Sequence, residues 1–137
     1  MIVVDSSVWI DHLNGRLTEA VSILHRLLAE TQERIPIGDI IVYEVLSGLR
    51  SDRAVAEVRG LLESLTPAPM LGFDLVHPAV LNYRSLRARG LTVNAADMFI
   101  ATYCLETGAQ LLTNNRDFLP LRDHLGLQLV AANGQLA

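Results

Sequence analysis

The chain has 137 residues, half of them apolar, and carries a formal charge of −4 with all 11 of its basic residues arginine. That length suits one compact domain, and the lone Cys104 can form neither an intramolecular bridge nor a cysteine-rich zinc site, which points to a reducing, cytoplasmic setting. Without lysine there is no P-loop and no Schiff-base amine, and the mild acidity argues against a protein that coats nucleic acid by bulk positive charge.

Ile2-Val3-Val4 predicts a strand ending at Asp5, after which Ser6-Ser7 cap a helix running to about Leu13. Met1 leads straight into that strand, so no secretory leader is expected. Asn14-Gly15 breaks the chain. Over residues 18–29 the apolar positions fall on one face of a 3.6-residue period and predict an amphipathic helix. A short strand at 34–37 follows, then a helix over 40–49 capped by Asp39 and weakened by Gly48, and a further helix over 52–64. Residues 69–71 read as a strand. A helix over 75–89 ends at Gly90, and Asn94 opens another over 95–106 that Gly108 closes. Strands are predicted at 111–113 and 127–130, with a polar turn at 114–117 between them. Asp39, Glu44 and Asp97 interrupt the longest apolar runs well short of the roughly 18 residues that span a membrane, so no membrane contact is expected. Strands alternating with helices predict an α/β chain, a single domain over 1–137 with three α/β/α layers and a mostly parallel sheet of about 4–5 strands.

Ligands of open parallel sheets bind at the carboxyl ends of the strands, where Asp5 and the 113–117 turn should lie. Three carboxylates stand in apolar surroundings: Asp5 after Ile-Val-Val, Glu44 within Ile40-Ile41-Val42-Tyr43-Glu44-Val45-Leu46, and Asp97 within Ala95-Ala96-Asp97-Met98-Phe99-Ile100-Ala101. Helices this apolar are expected to be buried, and a carboxylate taken into a core costs several kcal/mol unless paired or bound to metal. No arginine lies within four residues of any of the three. If they converge within bridging reach, a hard divalent cation such as Mg²⁺ or Mn²⁺ is the usual remedy. Helix capping is the alternative for Asp5 and, three residues after Asn94, for Asp97; Glu44 in mid-helix caps nothing.

Four segments in order, Asp5-Ser6-Ser7-Val8-Trp9-Ile10-Asp11, Tyr43-Glu44-Val45-Leu46-Ser47-Gly48, Asp97-Met98-Phe99-Ile100-Ala101-Thr102 and Leu112-Thr113-Asn114-Asn115-Arg116-Asp117-Phe118, resemble those of the PIN-domain ribonucleases. More narrowly, they resemble VapC-type toxins of bacterial toxin–antitoxin pairs, over essentially the whole chain. The resemblance implies a Rossmann-like PIN fold and a Mg²⁺- or Mn²⁺-dependent endoribonuclease that hydrolyses RNA by metal-activated water. Asp5, Glu44 and Asp97 would form the acidic core, with Asp5 and Asp97 as direct metal ligands. The family's last motif often reads Thr-x-Asp-x-Asp-Phe; here Asn115 takes the place of the first aspartate and Asp117 that of the second. Either Asp117 supplies the fourth carboxylate or a second metal is weakly held. Ser6 and Thr113 would orient ligands through hydrogen bonds. The resemblance further implies a homodimer and an antitoxin whose tail occupies the acidic groove. The helices at 18–29 and 52–64 suit either a groove for it or the core.

Other residues carry less. His12, His25, His77 and His124 are dispersed and read as surface or packing residues, Cys104 as a small core residue, and Trp9 and Tyr43 as core or interface residues. Arg84, Arg87, Arg89 and Arg116 suit RNA phosphates through the guanidinium fork. The rival from another class is a non-catalytic α/β interaction domain whose carboxylates are caps or interface groups. A phosphoacceptor receiver-like domain is a third, but it ordinarily uses a lysine.

Overall fold

The computed structural model describes residues 1–30 and 35–130. β1 (Ile2–Val4) runs into α1 (Ser6–Leu13), followed by α2 (Glu19–Ala29), β2 (Pro36–Gly38), α3 (Asp39–Ser47), α4 (Asp52–Glu63) and β3 (Thr66–Ala68). Then come α5 (Phe73–Arg87), α6 (Ala95–Thr107), β4 (Gln110–Leu112), a 3-10 turn (Arg116–Phe118) and α7 (Leu119–Leu125). The strands form two parallel pairs, β1 with β4 and β2 with β3, and β1 lies beside β2. Helices pack on this parallel centre in a three-layer α/β/α arrangement, as expected.

The apolar runs explain the centre. Val3 and Val4 on β1 and Leu111 and Leu112 on β4 are fully buried, as strands covered on both faces require. Alternate residues of β4 bond to opposite sides: Gln110 donates its N–H to Met1 O and Leu112 O accepts from Asp5, whereas Leu111 exchanges bonds with Gln128 O and the Val130 N–H. The last predicted strand is therefore a single parallel bridge at Leu129.

Helix starts follow their caps. Thr18 Oγ1 accepts from the Val21 N–H at 3.1 Å and Ser51 Oγ from the Ala54 N–H at 3.1 Å. Asp39 differs from expectation. It is the first residue of α3 rather than its cap, and its carboxylate accepts from the Ile40 N–H at 2.9 Å and the Met70 N–H at 3.0 Å. β3 lies at Thr66–Ala68 instead of at 69–71, because its partner β2 ends at Gly38 where the chain turns into α3. Arg34, at the start of the second predicted strand, lies outside the described residues; Pro36–Gly38 forms the strand. The short α7, with Pro120 in its first turn, carries no strong period and was not anticipated. No helix among the described residues is long and apolar enough to cross a membrane.

Candidate active site

The parallel register Val4↔Leu112 makes Asp5 and Thr113 the next residue of each strand, at the carboxyl edge of the sheet. Asp5 turns the chain out of β1 and caps α1, and it is only 2% exposed. Its Oδ2 accepts from Ser7 Oγ at 2.7 Å, from Thr113 Oγ1 at 2.9 Å and from the Ser7 N–H at 3.4 Å. Each hydroxyl gives its only proton to Asp5 and accepts in turn, Ser7 from the Asn114 N–H at 3.0 Å and Thr113 from the Asn115 N–H at 2.9 Å. All the described hydrogen bonds to this carboxylate fall on Oδ2. Oδ1 is uncommitted.

Glu44 and Asp97 repeat the pattern. Ser6 Oγ donates to Glu44 Oε1 at 3.1 Å, tying α1 to α3. Asn94 caps α6 by accepting the Asp97 N–H at 2.9 Å and donates its own amide to Asp97 Oδ2 at 3.0 Å. Capping engages one oxygen of Asp5 and orients one of Asp97 without occupying the other. The ion pairs among the described residues are Arg16–Asp11, Arg53–Glu57, Arg59–Glu63 and Arg122–Asp123, and none includes these three carboxylates.

The charges feel one another. Burial, then the Asp5 carboxylate, with smaller contributions from Glu44 and Asp117, push the Asp97 carboxyl up to about 6 against a partial offset from Asn94. Glu44 is pushed up by burial, with Ser6 opposing and Asp5 adding to the rise. Thus Asp5, Glu44, Asp97 and Asp117 share one field. Their convergence is looser than the sequence implied: among the described residues no three His, Cys, Asp or Glu side chains stand grouped closely enough to hold a metal ion. The Glu44 helix is also less buried than its composition implied. Ile41 and Val45 are enclosed, but Tyr43 is 68% exposed because α3 has a solvent face, which corrects its reading as a core residue and leaves the interface reading.

Asn115 and Asp117 divide the fourth position. Asn115 Oδ1 accepts the Asp117 N–H at 2.9 Å and so caps the 3-10 turn. Asp117 lines, with Asn94, Asp97, Thr92 and Arg116, a cleft of about 490 Å³. One supporting residue, Asn114, goes beyond the expected Ser6, Thr113 and Asn115, and the Ser6-Ser7 pair divides its work. Ser7 holds Asp5 while Ser6 holds Glu44. Asn114 bridges to α1, its amide donating to Asp11 Oδ2 at 2.7 Å; the only sequence signal for it is the polar turn.

Away from the cleft, Trp9 is a core residue whose Nε1 has no hydrogen-bond partner among the described residues. Cys104 is buried, and burial lifts its thiol to about 12, which leaves it inert. His12 and His25 are not dispersed: they hydrogen-bond at 2.9 Å between α1 and α2, and burial with the His25 charge lowers the His12 pKa.

The PIN-domain family model matches residues 2–122. A VapC ribonuclease of Mycobacterium bovis and ribonuclease VapC11 of Mycobacterium tuberculosis are each 30% identical over 122 residues, covering 86% of this chain and 89% of the relative. The chain belongs to the VapC family of PIN-domain ribonucleases. It is accordingly a nuclease of the hydrolase class, and the non-catalytic and receiver-like alternatives fall away. The same fold recurs in the solved structures of VapBC2 from Rickettsia felis (TM-score 0.76, 18% identity, 95% of this chain and 98% of that one) and of DNA-bound VapBC from Salmonella typhimurium (TM-score 0.75, 22% identity, 94% and 96%).

Proposed function

We propose that this VapC-family chain is the toxin of a toxin–antitoxin pair, an endoribonuclease that cleaves RNA phosphodiester bonds at the acids Asp5, Glu44 and Asp97 with Mg²⁺, or Mn²⁺ in its place. The observation that carries this reading is the state of the three carboxylates. Each has one oxygen oriented by neutral donors and the other uncommitted, and none forms an ion pair among the described residues.

That donor set fits a hard cation, since Mg²⁺ prefers oxygen, takes one or two carboxylates directly and keeps several waters. Asp5 and Asp97 would hold it, with Glu44 and Asp117 acting through water. The looser grouping of the acids suits such a water-completed shell. A bound divalent ion supplies charge neutralisation at the phosphoryl oxygens and activation of the attacking water. The chain's own contribution is orientation: Ser7 and Thr113 fix the Asp5 carboxylate, Asn94 that of Asp97, and Ser6 that of Glu44. Ser6 and Ser7 serve as donors rather than nucleophiles: each hydroxyl gives its proton to a carboxylate, Glu44 and Asp5 respectively, that it holds in place.

The same reading takes RNA as substrate, an antitoxin protein as inhibitor, a homodimer as the assembly and the cytoplasm as the location. Exposed apolar side chains support coverage by other chains, among them Phe73 at 95% and Leu17 at 87% exposure. The test is RNA cleavage by purified, antitoxin-free protein, with Mg²⁺, with EDTA, and for Asp97→Asn. Cleavage only by the parent with Mg²⁺ is expected; cleavage that survives both EDTA and the substitution overturns the mechanism.

A further inference from the structure

The cleft of about 490 Å³ that Asp97 and Asp117 share has one cationic side chain among its described lining residues, Arg116. That guanidinium is exposed and takes part in none of the ion pairs among the described residues. Arg53 and Arg59, by contrast, are engaged by Glu57 and Glu63 on α4. The charges that push the Asp97 carboxyl up are those of Asp5, Glu44 and Asp117. An arginine that lines an acidic cleft without pairing to its acids keeps its charge available to a ligand.

The backbone beneath Arg116 is fixed. Thr113 Oγ1 donates to Asp5 Oδ2 and accepts from the Asn115 N–H, and Asn115 Oδ1 accepts from the Asp117 N–H, each at 2.9 Å. Phe118, at the end of the same 3-10 turn, is fully buried and anchors it in the core. Arg116 therefore stands on a turn tied through hydrogen bonds to the Asp5 carboxylate. Asn115 adds to this by its charge: it is neutral, so no carboxylate precedes Arg116 in the turn to capture the guanidinium.

We propose that Arg116 is a catalytic residue, a clamp whose guanidinium donates to the non-bridging oxygens of the phosphodiester being cut. This rests on the ribonuclease reading and adds a residue to it. In the hydrolysis a water oxygen bonds to phosphorus, the bond to the leaving ribose oxygen breaks, and a proton from that water ends on the leaving oxygen. Negative charge gathers on the non-bridging oxygens on the way, and the planar fork of arginine matches two of them. A donor fixed in advance at such a point acts more on the transition state than on the bound substrate. An acidic peptide fits less well, since it brings carboxylates to Asp97 and Asp117 without a cation.

The test has two arms, both on the full chain. The first is anisotropy binding of a labelled oligouridylate 20-mer to the Asp97→Asn protein over a range of salt. Each phosphate contact to a single strand contributes about −0.7 to the slope of log K against log salt. Arg116→Gln should flatten the slope by about 0.7, and Arg116→Lys, which keeps the charge, should not. Arg53→Gln removes the same charge from α4 and should leave the slope unchanged. The second arm is single-turnover cleavage of total bacterial RNA in Mg²⁺, with Asp97 intact and the protein in excess. Arg116→Gln should lower the saturating rate about 100–1,000-fold, Arg116→Lys should fall in between because it lacks the fork, and Arg53→Gln should match the parent. Thermal melts establish that each variant is folded. Equal slopes for Arg116→Gln and Arg53→Gln overturn the clamp. A flatter slope with an unchanged saturating rate overturns the assignment to the phosphate being cut and moves the contact to a flanking one. A parent chain that cleaves none of that RNA, with an Asp97→Asn protein that binds no oligonucleotide even at low salt, overturns the ribonuclease reading beneath it.

Discussion

Thr113 and Asp5, 108 positions apart, are joined by a 2.9 Å hydrogen bond from the threonine hydroxyl to Oδ2 of the buried aspartate. The bond follows from the parallel register of β1 and β4, which sets the residues just past each strand side by side. Thr113→Val keeps the shape and removes the donor. It should cost about 1–3 kcal/mol, read as a lower Tm, because a buried carboxylate loses a partner. Mg²⁺ affinity by calorimetry should drop about 10–100-fold, with Thr113→Ser close to the parent.

Asp97→Asn should abolish cleavage while raising the Tm of the metal-free protein at neutral pH. The amide accepts the Asn94 bond as the carboxylate does but carries no charge toward Asp5, Glu44 and Asp117. A Tm at or below that of the parent would contradict the mutual repulsion inferred for the cleft.

The pH dependence has a definite sign. Asp97 rises from its ordinary 3.8 to about 6 in the folded chain, so the fold binds this proton more tightly than the unfolded chain does. Its contribution to stability is full below about pH 3.8 and is lost as the pH rises through about 6, an effect of roughly 3 kcal/mol at most. The Tm gap between Asp97→Asn and the metal-free parent should thus widen from about pH 5 to pH 7.5. Mg²⁺ should stabilise the parent little at the acid end and most at neutral pH, because the ion needs the deprotonated carboxylate. Scanning calorimetry across pH, with and without Mg²⁺, measures both.

Asn115 and Asp117 should separate by readout. Asn115→Ala removes the cap of the 3-10 turn and should lower stability by about 1 kcal/mol. Asp117→Asn leaves the backbone bond in place and should reduce cleavage with little change in Tm. Comparable cleavage losses without any Tm change in either variant would contradict this division.

Gly38 caps α3 without a side chain, and a Cβ there would collide with the sulfur of fully buried Met70. Gly38→Ala should destabilise by about 1–3 kcal/mol through overpacking, measured by urea denaturation. Because Gly38 opens the helix that carries Glu44, part of the loss should appear in cleavage at temperatures where the variant is still folded.

Chemistry was more legible in the chain than geometry. Asp5, Glu44 and Asp97 stand out because carboxylates amid apolar residues need a partner, and four ordered segments carried the family. The helices at 18–29 and 52–64 could be read because their caps and periods are local. The strands were less clear. Each observed strand has three residues, and whether such a segment pairs depends on a distant neighbour, as with 127–130, of which only Leu129 bridges.

By itself, then, the sequence determined the α/β class, the three acids out of place and the absence of a nearby cation, since all of these rest on local pattern and residue type. Only the tertiary structure decided which donor holds which oxygen, Ser6 for Glu44 and Ser7 with Thr113 for Asp5, because those contacts depend on strand register and helix packing. It also decided that Asn115 caps while Asp117 lines the cleft with Asp97 and Arg116. A total charge of −4 cannot carry that information. Electrostatic attraction acts over a few ångströms, and only the fold sets those distances.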